Sequence, residues 1–295
     1  MRINSAAFFV LLTCACASAQ TPAAPPAPVF DGNRAFEHLK SVVAIGPRPA
    51  GSPGAQKTRD YIKQQMTMLG IQTSEQAFEA KTPAGIVRMV NVSVTIPGPG
   101  TGRLIIAGHY DTKVFKEFTF VGANDAGSST AFLIELARVL KGRSNALPVE
   151  LLFLDGEEAI GEWETGNTYG SRHYVAAARA AGTLPQLKAM ILVDMIGDED
   201  LAIKRESRST PWLTDVIWSA ARTLNRRELL DESTEIDDDH LPFLAAGVPA
   251  VDIIDLDYPY WHTAEDTLDK VSGTSLKVVG DVLLAALPAI ELRVK

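Results

Sequence analysis

The sequence predicts an α/β fold, a three-layer α/β/α sandwich built on a central mixed, mostly parallel twisted sheet. Two observations predict it. Short apolar runs that read as buried strands alternate with amphipathic helical stretches along the chain. Several of those runs also end abruptly in histidine or carboxylate, at His109-Tyr110-Asp111, Asp155-Gly156-Glu157-Glu158 and Val193-Asp194. In open α/β sheets the ligand site lies outside the carboxyl ends of the strands, so this is the expected signature of such a sheet. A chain of 295 residues with 46% hydrophobic composition suits a single domain of this kind with an ample core.

Taken in order, residues 1–19 read as a signal peptide. Arg2 supplies the charged start, Ala6 to Leu12 a short apolar region, and Ala17-Ser18-Ala19 the cleavage site. That apolar region is too short to span a bilayer. Both cysteines, Cys14 and Cys16, fall inside the signal segment, without the residues of a lipoprotein signal before them. The mature protein is therefore expected to be exported, periplasmic or secreted, and free of thiols. Residues 20–30, rich in proline and alanine, read as a tether. Residues 31–295 form one domain.

Within the domain, Asp31 can cap a helix to about Ala44, and a second helix is expected from about Ala55 to Leu69. The stretches 71–79 and 85–96 alternate as strands. Arg103 to Asp111 reads as a buried strand, and Gly122 to Ser129 leads into a helix to about Leu140. Leu151 to Leu154 is a buried strand broken at Gly156. Helices follow over 169–181 and 212–224, with a strand at 189–193 between them. An acidic loop, Ile236 to His240, opens a helical turn to Ala246. A strand at 249–254 and a closing helix over 275–292 complete the domain.

Four strands thus deliver His109, Glu157 with Glu158, Asp194 and, a few residues on, His262, while Asp125 sits at the head of a helix. Two adjacent glutamates are unfavourable unless their roles are separated. A metal that takes one and leaves the other free for proton transfer separates them. Imidazole with carboxylate suits zinc, and a catalytic zinc keeps an open position. A net charge of −8 argues against nucleic acid as a partner.

These residues and their surroundings resemble peptidase family M28, the zinc aminopeptidase-like superfamily, over about residues 30–290. Within it they are most similar to the glutaminyl cyclases (glutaminyl-peptide cyclotransferases). The resemblance is carried by His109-Tyr110-Asp111-Thr112-Lys113, Gly122 to Ser128, Asp155 to Ala159, Trp163, Tyr169-Gly170-Ser171-Arg172-His173, Asp238 to Phe243, Gly247-Val248-Pro249 and Trp261 to Asp266. It implies one zinc held by Asp125, Glu158 and His262, and Glu157 as the proton-transfer residue. It implies Asp194 and Asp238 in support, and Trp163 and Trp261 in the substrate pocket, with Asp237 and Tyr258 at its rim. The implied substrates are peptide or protein N-termini bearing glutamine, processed by a monomer with no membrane span. Asp237 departs from the glutamine usual in animal cyclases, the Tyr258-Pro259-Tyr260 segment is shorter, and no cysteine pair matches their disulfide.

Other readings start from the same residues. A dinuclear M28 aminopeptidase needs His109, Asp125, Glu158, Asp194 and His262, all present, so ligand types alone do not separate the two enzymes. A binding module without catalysis is expected to lack Glu157 or a ligand, and none is missing. Asp237 and Asp239 also read as plain caps of the following turn. His240 reads as a residue backing the site, His173 as one that orients a loop, and His38 as a packing residue.

Overall fold

The structure, a computed structural model, describes residues 28–295. The expected signal peptide, its two cysteines and most of the tether lie outside the described residues. The expected tether boundary is placed differently. Phe30 is buried, stacked on Phe132 with ring centroids 4.9 Å apart, so the ordered domain begins before Asp31.

A sheet of six strands forms the middle layer. In sequence order these are β1 (Thr73–Thr82), β2 (Gly85–Ile96), β3 (Arg103–His109), β4 (Val149–Leu154), β5 (Leu187–Asp194) and, after two short strands, β8 (Ala250–Ile254). Their spatial order is β1-β2-β4-β3-β5-β8. The four strands β4-β3-β5-β8 run parallel, and β2 and β1 add antiparallel neighbours at one side. The mixed, mostly parallel sheet is as expected.

Side chains alternate across a strand, and here both faces are buried. Leu104, Ile106, Leu151, Phe153, Ile191, Val193, Val251 and Ile253 point into one core. There they meet α1 (Gly32–Val43), α2 (Pro53–Met68), α3 (Ser129–Lys141), α5 (Pro211–Thr223) and α7 (Gly273–Val294). Ile105, Ala107, Leu152, Leu154, Met190, Leu192 and Ala250 point the other way, against α4 (Tyr169–Ala180) and α6 (His240–Ala245). Asp31 caps α1 as its sequence position implies, accepting from the backbone N–H groups of Asn33 and Arg34.

Two strands escape the sequence. Ile203–Glu206 (β6) and Leu229–Thr234 (β7) pair as a small parallel sheet beside β8. Both are short, and β7 is half exposed and mostly polar, so neither shows the apolar alternation that marks a strand.

Candidate active site

The carboxyl ends of the parallel strands converge. β3 ends on His109 and β5 on Asp194, β4 turns through Asp155-Gly156 into Glu157 and Glu158, and the loop after β8 carries His262. Asp125 comes from an irregular helical turn, Ala123–Ser128, at the head of α3. The turn after β4 needs a glycine. Gly156 has φ +71°, and a Cβ there would sit 2.5 Å from Met89 Sδ. The two glutamates are then fixed by Asp111, whose oxygens accept from the N–H of Glu157 at 3.2 Å and of Glu158 at 3.3 Å. Asp266 holds the other side, accepting from the N–H of Asn124 at 2.8 Å and of Asp125 at 3.2 Å. Arg48, fully buried, donates to the carbonyls of Tyr110, Val121 and Gly122 and so ties the Asp125 turn to the end of β3.

Asp125, Glu158 and His262 meet as donors. His262 Nε2 lies 3.3 Å from Asp125 Oδ2 and 3.2 Å from Glu158 Oε1. Zinc bonds of roughly 2.0–2.1 Å in a tetrahedron put neighbouring donors roughly 3.3 Å apart, so these residues fit that ion. A second set, His109, Asp125 and Asp194, is gathered as closely. His109 Nε2 is 3.2 Å from Asp125 Oδ1 and 3.2 Å from Asp194 Oδ1. Asp125 is common to both sets, one oxygen in each.

Electrostatics agree with a cation site. Burial and the neighbouring Asp125 push the Glu158 carboxyl up, a cost that a divalent cation reverses. Burial works against a charged His262 ring, yet Asp125 and Glu158 outweigh it and hold its proton to about 9. Lys113 Nζ stands 3.3 Å from the outer oxygen of Glu158. Trp261 stacks on the His262 ring at 4.5 Å, and Phe115 and Phe120 pack against its edge.

Glu157 belongs to neither donor set. It is buried, and burial followed by the charges of Asp238, Glu158 and Asp239 raises its carboxyl well above the ordinary range, against the pull of His109. A carboxyl raised in this way suits general acid–base work. Asp238 is raised in the same manner, by burial and then by Asp194 and Asp239.

These groups open on a cavity of about 520 Å³. The metal donors Asp125, Glu158 and His262 line it with Glu157, Asp194 and Asp238. Trp163, Trp261, Ile236, Ile254 and Leu256 give it apolar walls, and Asp237 reaches its rim. Trp163 opens a single helical turn, Trp163–Thr165, and Trp261 is 40% exposed. Of the residues expected here, Tyr258 is the one not brought to the cavity. It is buried beneath the site, where its hydroxyl donates to Asp266 at 2.8 Å. The short segment before Trp261 turns that ring into the apolar cluster with Met195 and Ile254.

The capping expectation for Asp237 and Asp239 is not met. Asp237 pairs with Arg208, and Asp239 accepts from the Ser171 hydroxyl without bonding the N–H groups of α6. His173 stacks on Phe78 at 4.2 Å, and His38 bonds the Tyr61 hydroxyl at 2.9 Å. Arg48, Asp266, Glu206 and Asp252 carry no role in the sequence reading. Asp252 left a signal, a lone carboxylate inside the apolar run of β8.

The model of peptidase family M28 matches residues 91–287. A solved Acidobacteriales bacterium glutaminyl cyclase is 40% identical with a TM-score of 0.87, covering 94% of this chain and all 100% of that one. The Mus musculus glutaminyl-peptide cyclotransferase-like protein is 32% identical over 254 residues, covering 75% of this chain. The chain spans 66% of that relative's length. The Drosophila melanogaster glutaminyl-peptide cyclotransferase is 28% identical over 265 residues, 79% of this chain and 75% of that protein.

Proposed function

This chain belongs to peptidase family M28, and from that premise we propose that it is a zinc-dependent glutaminyl-peptide cyclotransferase. It converts N-terminal glutamine of peptides and proteins to pyroglutamate with release of ammonia. The observation that carries the reading is the composition of the cavity: two indoles and three aliphatic side chains wall a pocket whose floor holds a donor set and an uncommitted glutamate. Such a pocket suits a short aliphatic amide held away from water.

Asp125, Glu158 and His262 would hold the zinc, which when bound supplies a Lewis acid for the carbonyl of the glutamine amide. The protein's own residues do the rest. Trp163 and Trp261 fold the glutamine so that its α-nitrogen meets its own amide carbon, a tethered nucleophile that needs only orientation. Glu157 takes a proton from the α-nitrogen. The α-nitrogen bonds to the amide carbon and closes the ring, while the bond from that carbon to the amide nitrogen breaks. The proton held by Glu157 goes to the departing nitrogen, which leaves as ammonia. Asp238, its carboxyl pushed up by burial and by the neighbouring Asp194, stands beside Glu157, where full ionisation of the pair is unfavourable. Asp237 and Lys113, at the cavity mouth, meet the rest of the peptide.

The test is product mass. Gln-Xaa peptides should lose ammonia (about 17 Da from atomic composition, independent of protein structure) with the peptide bond intact, and Leu-Xaa peptides should be untouched. A second reading has its own observation, the His109, Asp125 and Asp194 set, which with the first makes a dinuclear aminopeptidase. Free N-terminal amino acids released without ammonia would establish that reading and sink the first.

Export to the periplasm or outside the cell belongs to the same proposal. It is supported by the charged, apolar and small-residue order of residues 1–19. Among the described residues no helix is long and apolar enough to cross a membrane. The intact mass of the expressed protein decides it: a product that still starts at Met1 rejects cleavage after Ala19.

A further inference from the structure

Behind Asp238 the cavity wall continues inward as a row of buried polar groups that the reaction above leaves unused. Asp252 stands in the middle of β8, fully buried, with its carboxyl facing that of Asp238. On its far side is His240, the first residue of α6 and also fully buried. His240 Nδ1 is 3.7 Å from Asp252 Oδ2, and Nε2 is 3.2 Å from Glu206 Oε2. Glu206 ends β6 and is itself fixed. One oxygen accepts from the Ser209 N–H at 2.7 Å and hydroxyl at 2.8 Å, the other from the Arg208 N–H at 3.0 Å.

The middle of this row is the informative part. Both ring nitrogens of His240 and both carboxyl oxygens of Asp252 lack a well-aligned hydrogen-bond partner, the 3.2 Å contact to Glu206 being close but off the bonding direction. Buried polar atoms in that condition are rare, and each costs free energy. An apolar pair of similar volume would pack the same space at lower cost, so packing does not account for them. His240 Nδ1 faces Asp252 Oδ2, and the Asp252 carboxyl lies directly behind that of Asp238 on the cavity floor. Burial first, then Asp238, Asp194 and Glu206, raises the Asp252 carboxyl well above its ordinary range, as fits carboxyls that share protons.

We propose that Glu206, His240 and Asp252 form a positioning relay for Asp238. Glu206 orients the His240 ring, the ring orients the Asp252 carboxyl, and Asp252 sets which oxygen of Asp238 faces the cavity. The inference rests on the cyclotransferase reading, because Asp238 matters only where a reaction occurs in that cavity. Supporting groups of this kind typically change activity or metal affinity by roughly 10–100-fold when removed.

The experiment uses zinc-loaded protein and ammonia release from a Gln-Xaa peptide. His240→Leu should lower kcat per bound zinc roughly 10–100-fold and leave KM within about twofold, since orientation of Asp238 acts on the reaction and not on ground-state binding. His240→Gln keeps a two-ended polar group and should recover most of that loss. Glu206→Gln, which keeps the shape but loses the charge, should fall between. Where His240→Leu does not fold, the two glutamine variants decide. Unchanged kcat per zinc in the folded variants, or a rise in KM with kcat intact, overturns the relay. Wild-type protein that releases no ammonia overturns the reaction and the relay's role with it. Active wild type with variants at full kcat overturns the relay alone.

Discussion

Glu157 and Glu158 are sequence neighbours to which the proposed reaction gives opposite duties, and Asp111 is the residue that makes this workable. By accepting from both of their N–H groups it holds the turn so that Glu158 faces His262 while Glu157 faces the cavity. The consequence at the residue scale is a clean division of mutant effects. Glu157→Gln should keep zinc and fold but lose ~10²–10⁴ in turnover, the scale of general acid–base catalysis. Zinc lost from that variant would make Glu157 a ligand and defeat the assignment. Asp125→Ala and His262→Ala should instead abolish tight zinc binding, because a three-donor site has no spare member. Metal analysis of the purified variants separates the two outcomes, and either alanine variant retaining a full equivalent would remove that residue from the donor set.

At the scale of elements, two contacts of α7 lock the outer layer. Gly280 lies under the Phe30 ring, where an added Cβ would sit 2.3 Å from the ring carbons. Gly280→Ala should therefore cost about 1–3 kcal/mol by overpacking, read as a lower urea midpoint, and a midpoint equal to wild type would show that the segment before α1 yields freely. At the other end, Glu291 accepts from both terminal nitrogens of Arg143, at 2.9 and 2.7 Å, and from the Ala146 N–H. Burial opposes ionisation of Glu291, but Arg143 and Ala146 outweigh it and hold its pKa below the usual glutamate value. A lowered folded-state pKa means stability that is fully present above the unfolded value of about 4.5 and lost as pH falls through the folded one. Glu291→Gln should thus destabilise by about 1–3 kcal/mol at pH 7, the worth of hydrogen bonds to a charged group. The gap from wild type should close below about pH 4.5, in acid titrations followed by thermal melting. A gap independent of pH would rule out the linkage.

For the whole molecule, the carboxylates gathered at the strand ends oppose folding unless a cation balances them. Asp111, Asp125, Glu157, Glu158, Asp194, Asp238 and Asp239 are all buried in one region. Zinc that binds only the folded state stabilises it by about 2.7 kcal/mol at one hundred times its dissociation constant. Chelation should therefore lower the melting temperature, and re-addition of about one equivalent of zinc should restore it. A melting temperature indifferent to chelator would mean that the donors are not loaded, and a requirement for two tight equivalents would favour the dinuclear peptidase.

The sequence by itself determined the layer order, the strands of the central sheet and the residues at their ends. Apolar alternation is local, and a polar residue closing a buried run is visible wherever the run ends, as at His109, Glu157 and Asp194. It also determined which residue types were available for zinc. Which donors actually meet was decided only by the tertiary structure, because adjacency of β3, β4, β5 and β8 is a property of the sheet. The same holds for groups whose value lies in what they touch: Asp111, Arg48 and Asp266 bond backbone atoms, and backbone atoms carry no sequence signature. Tyr258 illustrates the limit from the other side, since Leu256 before it and Trp261 after it line the cavity while its own ring turns under it toward Asp266. Direction within a loop is set by what packs beneath it, and that is fixed only when the protein has folded.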